Sequence, residues 1–306
     1  MDTPSFKEDH ISQIPALELL QKLGYVYLMQ DEALQARGGR LAGVLLESVL
    51  TEQLRKINVI RFKGREYPFS EGNILAAVQA IKDVVDDGLI QTNEKVYDLL
   101  TLGKAMPQSI DGDTKSFQLD YIDWKHPENN VYHVTEEFVV ERSGSHETRR
   151  PDVVLFVNGI PLAVVECKRS DMTTTKGERA VFQAVEQMLR NQGQDEVPRL
   201  FAYAQILMAV SPHDALYAAT GAAKPYWSAW REDGIDDAIL SPLVNHPLSD
   251  DEAQRLYDWR DDAYRIRQHF ADTHTWTPTE QDRGLYALLR PARLLDLAYG
   301  FIVFDS

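Results

Sequence analysis

Cysteine is almost absent from this chain, in which Cys167 is the only one among 306 residues. A single cysteine excludes a disulfide within the chain and suits a reducing compartment. Long apolar runs are absent too, since no stretch approaches the roughly 18 residues that indicate a membrane-spanning helix. The N-terminus, Met-Asp-Thr-Pro-Ser, has neither the basic nor the apolar segment of a secretion signal. We therefore expect a cytoplasmic protein with no membrane partner.

Positive charge is in deficit as well. There are 32 Lys and Arg residues against 47 Asp and Glu, a net charge of −15, which is wrong for a free-standing DNA-binding protein. The eight histidines show no spacing typical of zinc ligands. Gly103-Lys104 lacks the upstream glycine and the Ser or Thr of a G-x-x-x-x-G-K-S/T phosphate loop, so we expect no ATP site here.

Residues 151–168 are the most informative stretch. Asp152 opens an apolar strand, a turn follows, and a second apolar strand ends on Glu166-Cys167-Lys168. Charged groups at the ends of buried strands are costly unless they are paired or hold a metal. Asp152 and Glu166 are therefore candidate ligands for Mg²⁺ or Mn²⁺, with the backbone carbonyl of Cys167 as a third oxygen. Lys168 lies on the same strand face as Glu166 and would orient an attacking water.

This spacing matches the PD-(D/E)xK nuclease motif. The plainer interpretation is a buried hairpin that ends in a solvated Glu-Lys pair, and the trio alone does not decide between them. With a regular two-residue turn at Asn158-Gly159, Asp152 would lie opposite Val165, and Glu166 would point to the other face. A three-residue loop at residues 158–160, or a β-bulge, would bring both carboxylates to one face.

Residues 177–192 have a helical pattern with one apolar face that includes Val181 and Val185. The opposite face carries an amide-rich stripe that includes Gln183, Gln187 and Arg190. A helix beside a phosphate-cutting site would present amides and a guanidinium in this way, and an ordinary solvated helix face has the same spacing.

Several runs together resemble the N-terminal nuclease region of the restriction (motor, R) subunit of type I restriction-modification enzymes. These runs are residues 150–168, 187–192, 197–203, 217–221 and 226–232, and the resemblance extends over nearly the whole chain.

The resemblance implies a Mg²⁺-dependent endonuclease that cuts double-stranded DNA. It implies catalytic roles for Asp152, Glu166 and Lys168. The family has a Gln-x-x-x-Tyr motif on the following helix, but no Tyr stands at that spacing here, so Gln183 and Gln187 are both candidates for the supporting role. Three arginines are candidate DNA contacts: Arg149, Arg150 and Arg190.

The resemblance also implies partners outside this chain. R subunits continue into ATP-driven helicase motor domains and assemble with methyltransferase and specificity subunits. We therefore expect an N-terminal fragment of a longer protein, which cuts DNA that other parts deliver. The alternative is a non-catalytic scaffold that docks the motor and methyltransferase subunits and retains the trio for structure. The intact trio favours the nuclease, whereas the acidic charge and the missing Tyr favour the scaffold.

Hydrophobic patterns and the resemblance predict an α/β fold, with a mixed central sheet flanked by helices and a PD-(D/E)xK restriction-endonuclease-like core. We expect an N-terminal helical part at residues 1–115, the nuclease core at 116–232, and a helical segment at 233–306 that leads to the absent motor domains. Glu18, in the first helix, either approaches the metal or lies solvated on the surface.

Local patterns predict helices at residues 16–23 and 41–56 and another that begins after Ser70. Residues 89–97 are predicted to form a turn and a short strand. Residues 102–114, rich in Gly, Pro and Asp, are predicted to form a loop. Strands are predicted at residues 117–124, 132–141, 152–157, 162–168, 200–210 and 215–220.

Overall fold

A six-stranded mixed sheet lies at the centre of the computed structural model, which describes residues 12–169, 179–261, 263 and 275–304. Numbered along the chain, the strands are Val26–Leu28 (β1), Val59–Phe62 (β2), Arg65–Pro68 (β3), Lys104–Ile110 (β4), Asp113–Leu119 (β5), Tyr132–Glu136 (β6), Val140–Glu141 (β7), Thr148–Arg149 (β8), Val153–Val157 (β9), Ile160–Cys167 (β10), Ile206–Ser211 (β11) and Asp214–Ala218 (β12). The central sheet has the order β1-β6-β9-β10-β11-β12, with β1–β6 and β10–β11 parallel and the other pairs antiparallel.

Helices flank this sheet. Along the described residues they are Ile14–Lys22 (α1), Gln30–Ala36 (α2), Glu47–Ile57 (α3), Glu71–Lys82 (α4), Leu89–Leu102 (α5), Ala180–Asn191 (α6), Pro198–Phe201 (α7), Asp237–Val244 (α8), Asp250–Tyr257 (α9), Glu280–Leu289 (α10) and Pro291–Gly300 (α11). Helix α6 packs against β10 and β11, and α10 packs against α1, β11 and β12. The predicted mixed α/β architecture is confirmed. No helix in the described ranges is long and apolar enough to cross a membrane.

Strands β9 and β10 form the middle of the core. Every residue in both strands is buried. Strands with sheet neighbours on both edges and packing on both faces are apolar without interruption, which explains why these two strands lack the alternation of a half-exposed strand.

The turn between β9 and β10 is built by Asn158 and Gly159, both with positive φ (51° and 83°). Asn158 is fully buried, and its side-chain oxygen accepts a hydrogen bond from the Val131 N–H at 2.9 Å. Its Nδ2 donates to the Tyr121 carbonyl at 3.0 Å and to Asn130 Oδ1 at 2.7 Å. An asparagine tolerates this backbone conformation better than most residues, and here its amide also satisfies three buried polar groups.

A β-bulge determines which residues of the hairpin share a face. The two-residue turn is regular, but the pairing shifts by one residue between Pro161 and Ala163, so that Val165 lies opposite the first residue of β9. The one-residue shift in pairing that brings Asp152 and Glu166 to one face therefore comes from this bulge and not from a three-residue loop. Proline cannot donate to the ladder, so an irregularity beside it costs little. As a result Asp152 and Glu166 lie on the same face of the sheet.

The prediction for residues 89–97 was wrong, because they form the first part of helix α5. Gly88, with φ of +95°, precedes the helix as its cap. Asn93, a poor helix former, is buried, and its amide donates to the carbonyls of Phe201, Ala202 and Ala204 at 3.0–3.3 Å. This long-range contact outweighs the weak local preference for a turn.

The predicted loop at residues 102–114 was also wrong. Residues 104–110 form β4, which pairs with β5 through a turn at Asp111-Gly112. This ribbon has only two strands, and an edge position tolerates Pro107 because its missing N–H need not pair. Strand β5 ends at Leu119 instead of continuing to residue 124.

Two other boundaries were placed too early. The helix predicted at residues 41–56 begins only at Glu47 as α3. The strand predicted at residues 200–210 begins at Ile206, because Pro198, a favourable residue for a first helical turn, starts the short α7.

Candidate active site

Asp152, Glu166 and Lys168 come together at one edge of the central sheet. Asp152 immediately precedes β9, Glu166 lies near the end of β10, and Lys168 follows that strand. Nζ of Lys168 lies 3.1 Å from Oε1 of Glu166 and 3.9 Å from Oδ2 of Asp152. The structure thus unites the predicted trio around a single ammonium group.

The carboxylate of Asp152 is held by the neighbouring strand. Its Oδ2 accepts a hydrogen bond from the Cys167 N–H at 2.7 Å. The Cys167 side chain is fully buried, and since side chains alternate along β10 it points away from the face that carries Glu166. Burial, with the nearby Asp152 charge, raises the pKa of the Cys167 thiol well above its usual range. Cys167 therefore contributes its backbone, not a reactive thiolate, to this site.

Glu166 is the most unusual group in the site. It is fully buried, and its Oε2 has no hydrogen-bond partner among the described residues. Burial raises the pKa of Glu166 well above its usual value, the Asp152 carboxylate raises it further, and the Lys168 ammonium opposes both effects. A buried carboxylate oxygen without a donor is costly, so its presence needs a compensating interaction.

A hard divalent cation fits this donor set. Mg²⁺ and Mn²⁺ prefer carboxylate and carbonyl oxygens, and Mg²⁺ usually sits on one or two carboxylates with waters and substrate oxygens completing the shell. In the described part of the chain, no group of three or more His, Cys, Asp or Glu side chains is arranged to hold a metal. The donor set at the site is the two carboxylates of Asp152 and Glu166, and Oε2 of Glu166 has no hydrogen-bond partner among the described residues.

Arg149 and Arg150, predicted to contact DNA, each contact an acidic side chain of the chain itself. Arg149 Nε lies 2.6 Å from Oε2 of Glu196, and its Nη2 donates to Oε1 at 2.9 Å. Arg150 Nη1 lies 2.9 Å from Oε2 of Glu137, in a pair that is more exposed. The Glu137 N–H in turn donates to the Asp152 carbonyl at 2.8 Å, which places the Arg150 pair at the margin of the site.

Helix α6 carries the remaining predicted residues, and residues 177–178 of the predicted helix lie outside the described residues. Gln183 and Gln187 are half-buried, and neither amide makes a hydrogen bond within the described ranges. Arg190 is exposed. With Arg142, it adds to the Arg149 hydrogen bond in lowering the pKa of Glu196.

Glu18 fits neither of its two predicted positions. It is mostly buried, with Lys22 Nζ 3.6 Å from its Oε2 and the Tyr257 hydroxyl donating to its Oε1. These contacts join α1 to α9, so this carboxylate is a packing element between helices and not a ligand of the predicted metal.

Comparison with known protein families identifies relatives of this chain by sequence. The family model described as type I restriction enzyme R protein N terminus matches residues 5–226. The chain belongs to this family. It is 30% identical over 305 residues to the type I restriction enzyme HindI endonuclease subunit of Haemophilus influenzae, covering 97% of this chain and 24% of that protein.

More distant relatives come from Methanocaldococcus jannaschii. The putative type I restriction enzyme MjaIXP endonuclease subunit is 22% identical over 306 residues, which is 100% of this chain and 26% of that protein. The putative MjaVIIIP endonuclease subunit is 22% identical over 296 residues, covering 94% of this chain and 22% of that protein. The chain therefore spans about a quarter of the length of the curated relatives that it matches.

In this member of the restriction enzyme family, sequence reasoning missed a buried polar cluster at the same end of the sheet as the trio, on its other face. Glu136, at the end of β6, is 1% exposed and contacts Gln13, Tyr27 and Arg260. One signal was available, because Tyr132, Val134 and Glu136 alternate on one face of their strand and so predict that Glu136 points inward. Its partners are more than 100 positions away and could not be identified from local patterns.

Proposed function

We propose that this chain carries the DNA-cleaving site of a type I restriction enzyme, a PD-(D/E)xK site that hydrolyses phosphodiester bonds of double-stranded DNA with Mg²⁺. The observation that carries the proposal is the buried Glu166, whose Oε1 contacts the Lys168 ammonium that also lies near Asp152, and whose Oε2 has no hydrogen-bond partner among the described residues. The family name supports the same class of reaction, because the relatives are named as endonuclease subunits.

Each residue of the trio has a separate role in this proposal. Asp152 and Glu166 would hold Mg²⁺, or Mn²⁺ in its place, with the backbone carbonyl of Cys167 as a further oxygen ligand. The bound cation would supply a Lewis acid for the scissile phosphate and lower the pKa of a bound water. Lys168 orients the attacking water by hydrogen bonding and stabilises the negative charge that develops on the phosphate oxygens.

The protonation state of Glu166 is also part of this proposal, and it depends on Lys168. The raised pKa of Glu166 favours its protonated form when no cation is bound, and Lys168 is its nearest counter-charge. A divalent cation would replace that proton and satisfy the unpaired oxygen. The buried charge is thereby compensated when the site is loaded for reaction.

Supporting contacts to DNA belong to the same proposal. Gln183 and Gln187 have side-chain amides without partners in the described ranges, so either could donate to the DNA backbone or to the site water. Arg149, Arg150 and Arg190 would meet phosphates. Arg149 and Arg150 must share their charge with Glu196 and Glu137, which weakens their attraction for DNA.

Delivery of DNA would come from outside this chain. A net charge of −15 opposes unaided binding of the DNA. We propose that ATP-driven motor domains supply the DNA, in a complex with methyltransferase and specificity subunits. The three-part division at residues 115 and 232, with the last part leading to the motor, remains part of this proposal.

The test uses the full R subunit assembled with its partner subunits. Asp152→Ala, Glu166→Ala and Lys168→Ala should each abolish DNA cleavage, while ATP hydrolysis and translocation continue. Lys56→Ala is a matched control, because Lys56 forms an exposed pair with Glu52 at 2.6 Å far from the trio in sequence. If all three variants cut DNA as the wild type does, the assignment fails.

A non-catalytic scaffold is the second candidate, favoured by the acidic charge and by the arginines that are already paired with acids. Calorimetric titration of this chain with Mn²⁺ separates the two functions. The nuclease predicts one binding event that Asp152→Asn and Glu166→Gln remove. The scaffold predicts no such event.

A further inference from the structure

Glu136 anchors a buried polar cluster at the same end of the sheet as the candidate active site but on the opposite face from the side chains of Asp152 and Glu166. It lies opposite Val153, the first residue of β9, and so next to the position of Asp152. Its Oε1 accepts hydrogen bonds from the Tyr27 hydroxyl at 2.5 Å and from the Arg260 guanidinium. Its Oε2 accepts from the Gln13 amide at 2.9 Å. A carboxylate buried to 1% exposure is stable in the fold only with such partners.

Gln13 links this cluster to the backbone of Asp152. The side chain of Gln13 is 5% exposed, and the same Nε2 that donates to Glu136 lies 3.4 Å from the Asp152 carbonyl oxygen. That carbonyl oxygen also accepts from the Glu137 N–H at 2.8 Å. One side-chain amide therefore joins a fixed buried carboxylate to the residue whose own carboxylate faces Lys168.

The backbone of Gln13 is itself held in place. Ser12 Oγ donates to Gln281 Oε1 at 2.5 Å, and Gln281 Nε2 donates to the Ser12 carbonyl at 2.8 Å. Ser12, Gln13 and Gln281 are all buried. Helix α10 thus holds the residues that precede α1 in place, and Arg260, which follows α9, holds Glu136. Both contacts come from the C-terminal part of the chain, and together they determine the position of the Gln13 amide.

The charge of Glu136 does not require Gln13. The Arg260 guanidinium, in a pair whose side chains are 11% and 2% exposed, already compensates this charge, and Tyr27 supplies a further donor. What Gln13 adds is a contact to Asp152, which stands just before β9, where the regular strand pairing has not yet begun. A carboxylate that binds metal must keep its position within a fraction of an ångström, so such a contact matters to function more than to folding.

We propose that Gln13 is a positioning residue for Asp152, held in place by Glu136, Arg260 and Gln281. This proposal rests on the proposed function, because it needs Asp152 to be a metal ligand. It makes the geometry of the site depend on the C-terminal helices, although none of their residues belongs to the trio. Loss of the amide should weaken metal binding without unfolding the chain.

The test is calorimetric titration of this chain with Mn²⁺ at a temperature far below unfolding. Gln13→Met keeps the length and volume of the side chain and removes its donor. The matched control is Gln21→Met, at a buried glutamine of α1 whose side-chain amide, among the described residues, bonds only to the Leu17 carbonyl at 3.5 Å. We expect the Mn²⁺ dissociation constant to rise about 10-fold for Gln13→Met, as for other groups that support metal ligands, and to stay unchanged for Gln21→Met. Wild-type affinity in Gln13→Met would overturn the proposal.

A second variant covers the case in which Gln13→Met fails to fold. Gln13→Glu combined with Glu136→Gln preserves one amide and one carboxylate in contact but removes the side-chain donor that Gln13 supplies to the Asp152 carbonyl, which keeps only the Glu137 N–H. This double variant should fold and should also lose Mn²⁺ affinity by about 10-fold. Unchanged affinity in a folded double variant would count against Gln13 as well.

Asp152→Asn distinguishes failure of this inference from failure of the proposed function. If the wild type binds no Mn²⁺, or if Asp152→Asn binds it equally well, Asp152 is not a ligand, and both proposals fall. If Asp152→Asn loses binding but Gln13→Met and the double variant keep it, the metal site stands, and only the role of Gln13 is refuted.

Discussion

Oε1 of the fully buried Glu166 lies 3.1 Å from Nζ of Lys168, itself only 11% exposed along its side chain. The ammonium compensates the carboxylate only in part, because burial and Asp152 still raise the pKa of Glu166 well above its usual value. A divalent cation, with twice the charge of the Lys168 ammonium, would compensate the Glu166 carboxylate more fully. Two predictions depend directly on this relationship.

The first prediction concerns protons. Because the raised pKa of Glu166 favours its protonated form, cation binding must release a proton, and the affinity for Mn²⁺ should rise as the pH rises toward that pKa and level off above it. Calorimetric titrations in two buffers of different ionisation enthalpy measure the number of protons released. An affinity that does not change with pH, with no proton release, would contradict the prediction.

The second prediction concerns stability with and without metal. Mn²⁺ at a hundredfold excess over its dissociation constant should raise the free energy of unfolding by about 2.7 kcal/mol, since it binds only the folded chain. Chelation should reverse this gain. Glu166→Gln should show no gain, whereas Glu94→Gln, at an exposed position on α5, should respond to Mn²⁺ as the wild type does. Thermal unfolding with and without Mn²⁺ provides the measurement.

The hairpin that carries the trio could be predicted because its signals are local. The apolar runs, the Asn158-Gly159 turn and the Glu-x-Lys ending are all legible within eighteen consecutive positions, 151–168. The requirement for a slip in pairing could be derived as well. The choice between a longer loop and a bulge at Pro161 could not, because both bring Asp152 and Glu166 to one face and only the observed pairing distinguishes them.

The failures share a different cause. Helix α5 is stabilised by the contacts of Asn93 with residues 201–204, and Glu136 is stabilised by Gln13 and Arg260, 123 and 124 positions away. Such partners are adjacent only after the chain has folded. Local propensity therefore indicates a turn where the fold forms a helix, and it cannot identify the distant partners of a buried acid.

A third prediction concerns DNA binding by this chain alone. Affinity for duplex DNA depends on lysines and arginines that neutralise phosphates, and Arg149 and Arg150 are already paired with Glu196 and Glu137. With a net charge of −15, the isolated chain should bind duplex weakly at ~0.15 M salt and should not cut it with Mg²⁺. Fluorescence anisotropy with a labelled duplex measures the binding. Tight binding and robust cutting would show that the site recruits DNA unaided.

A fourth prediction concerns the pH dependence of folding through Glu18. Burial, helped by Asp282 and opposed by Lys22, raises the pKa of Glu18 from 4.5 to about 7. Between these values the unfolded chain ionises Glu18 while the folded chain keeps it protonated, so this residue should lower the free energy of unfolding as pH rises, by up to about 3 kcal/mol in total. The effect should be complete above about pH 7.

Glu18→Gln removes this dependence while preserving an acceptor for Tyr257. Denaturant unfolding at pH 5 and about pH 8 should therefore show the variant gaining stability relative to the wild type at the higher pH. Glu94→Gln is again the control and should show no such gain. A wild-type pH dependence that survives in Glu18→Gln would contradict the prediction.

The last prediction compares two helical glycines. Gly284 on α10 packs against β12, and a Cβ added there would lie 2.4 Å from the Ala215 Cβ and 3.5 Å from the Met208 Cε. Gly72, near the start of α4, has no atom within 4 Å of the corresponding position. Gly284→Ala should therefore lower the free energy of unfolding by roughly 1–3 kcal/mol, the usual cost of overpacking.

Gly72→Ala should instead raise the free energy of unfolding by about 0.5–1 kcal/mol, because alanine loses less backbone freedom in a helix than glycine does. Denaturant unfolding of both variants provides the measurement, and since the chemical change is identical, only the packing of the two helices distinguishes them. Equal effects of the same sign would show that α10 does not pack tightly against β12. That result would weaken the inferred dependence of the Gln13 position on α10, because Gln281 lies on the same helix.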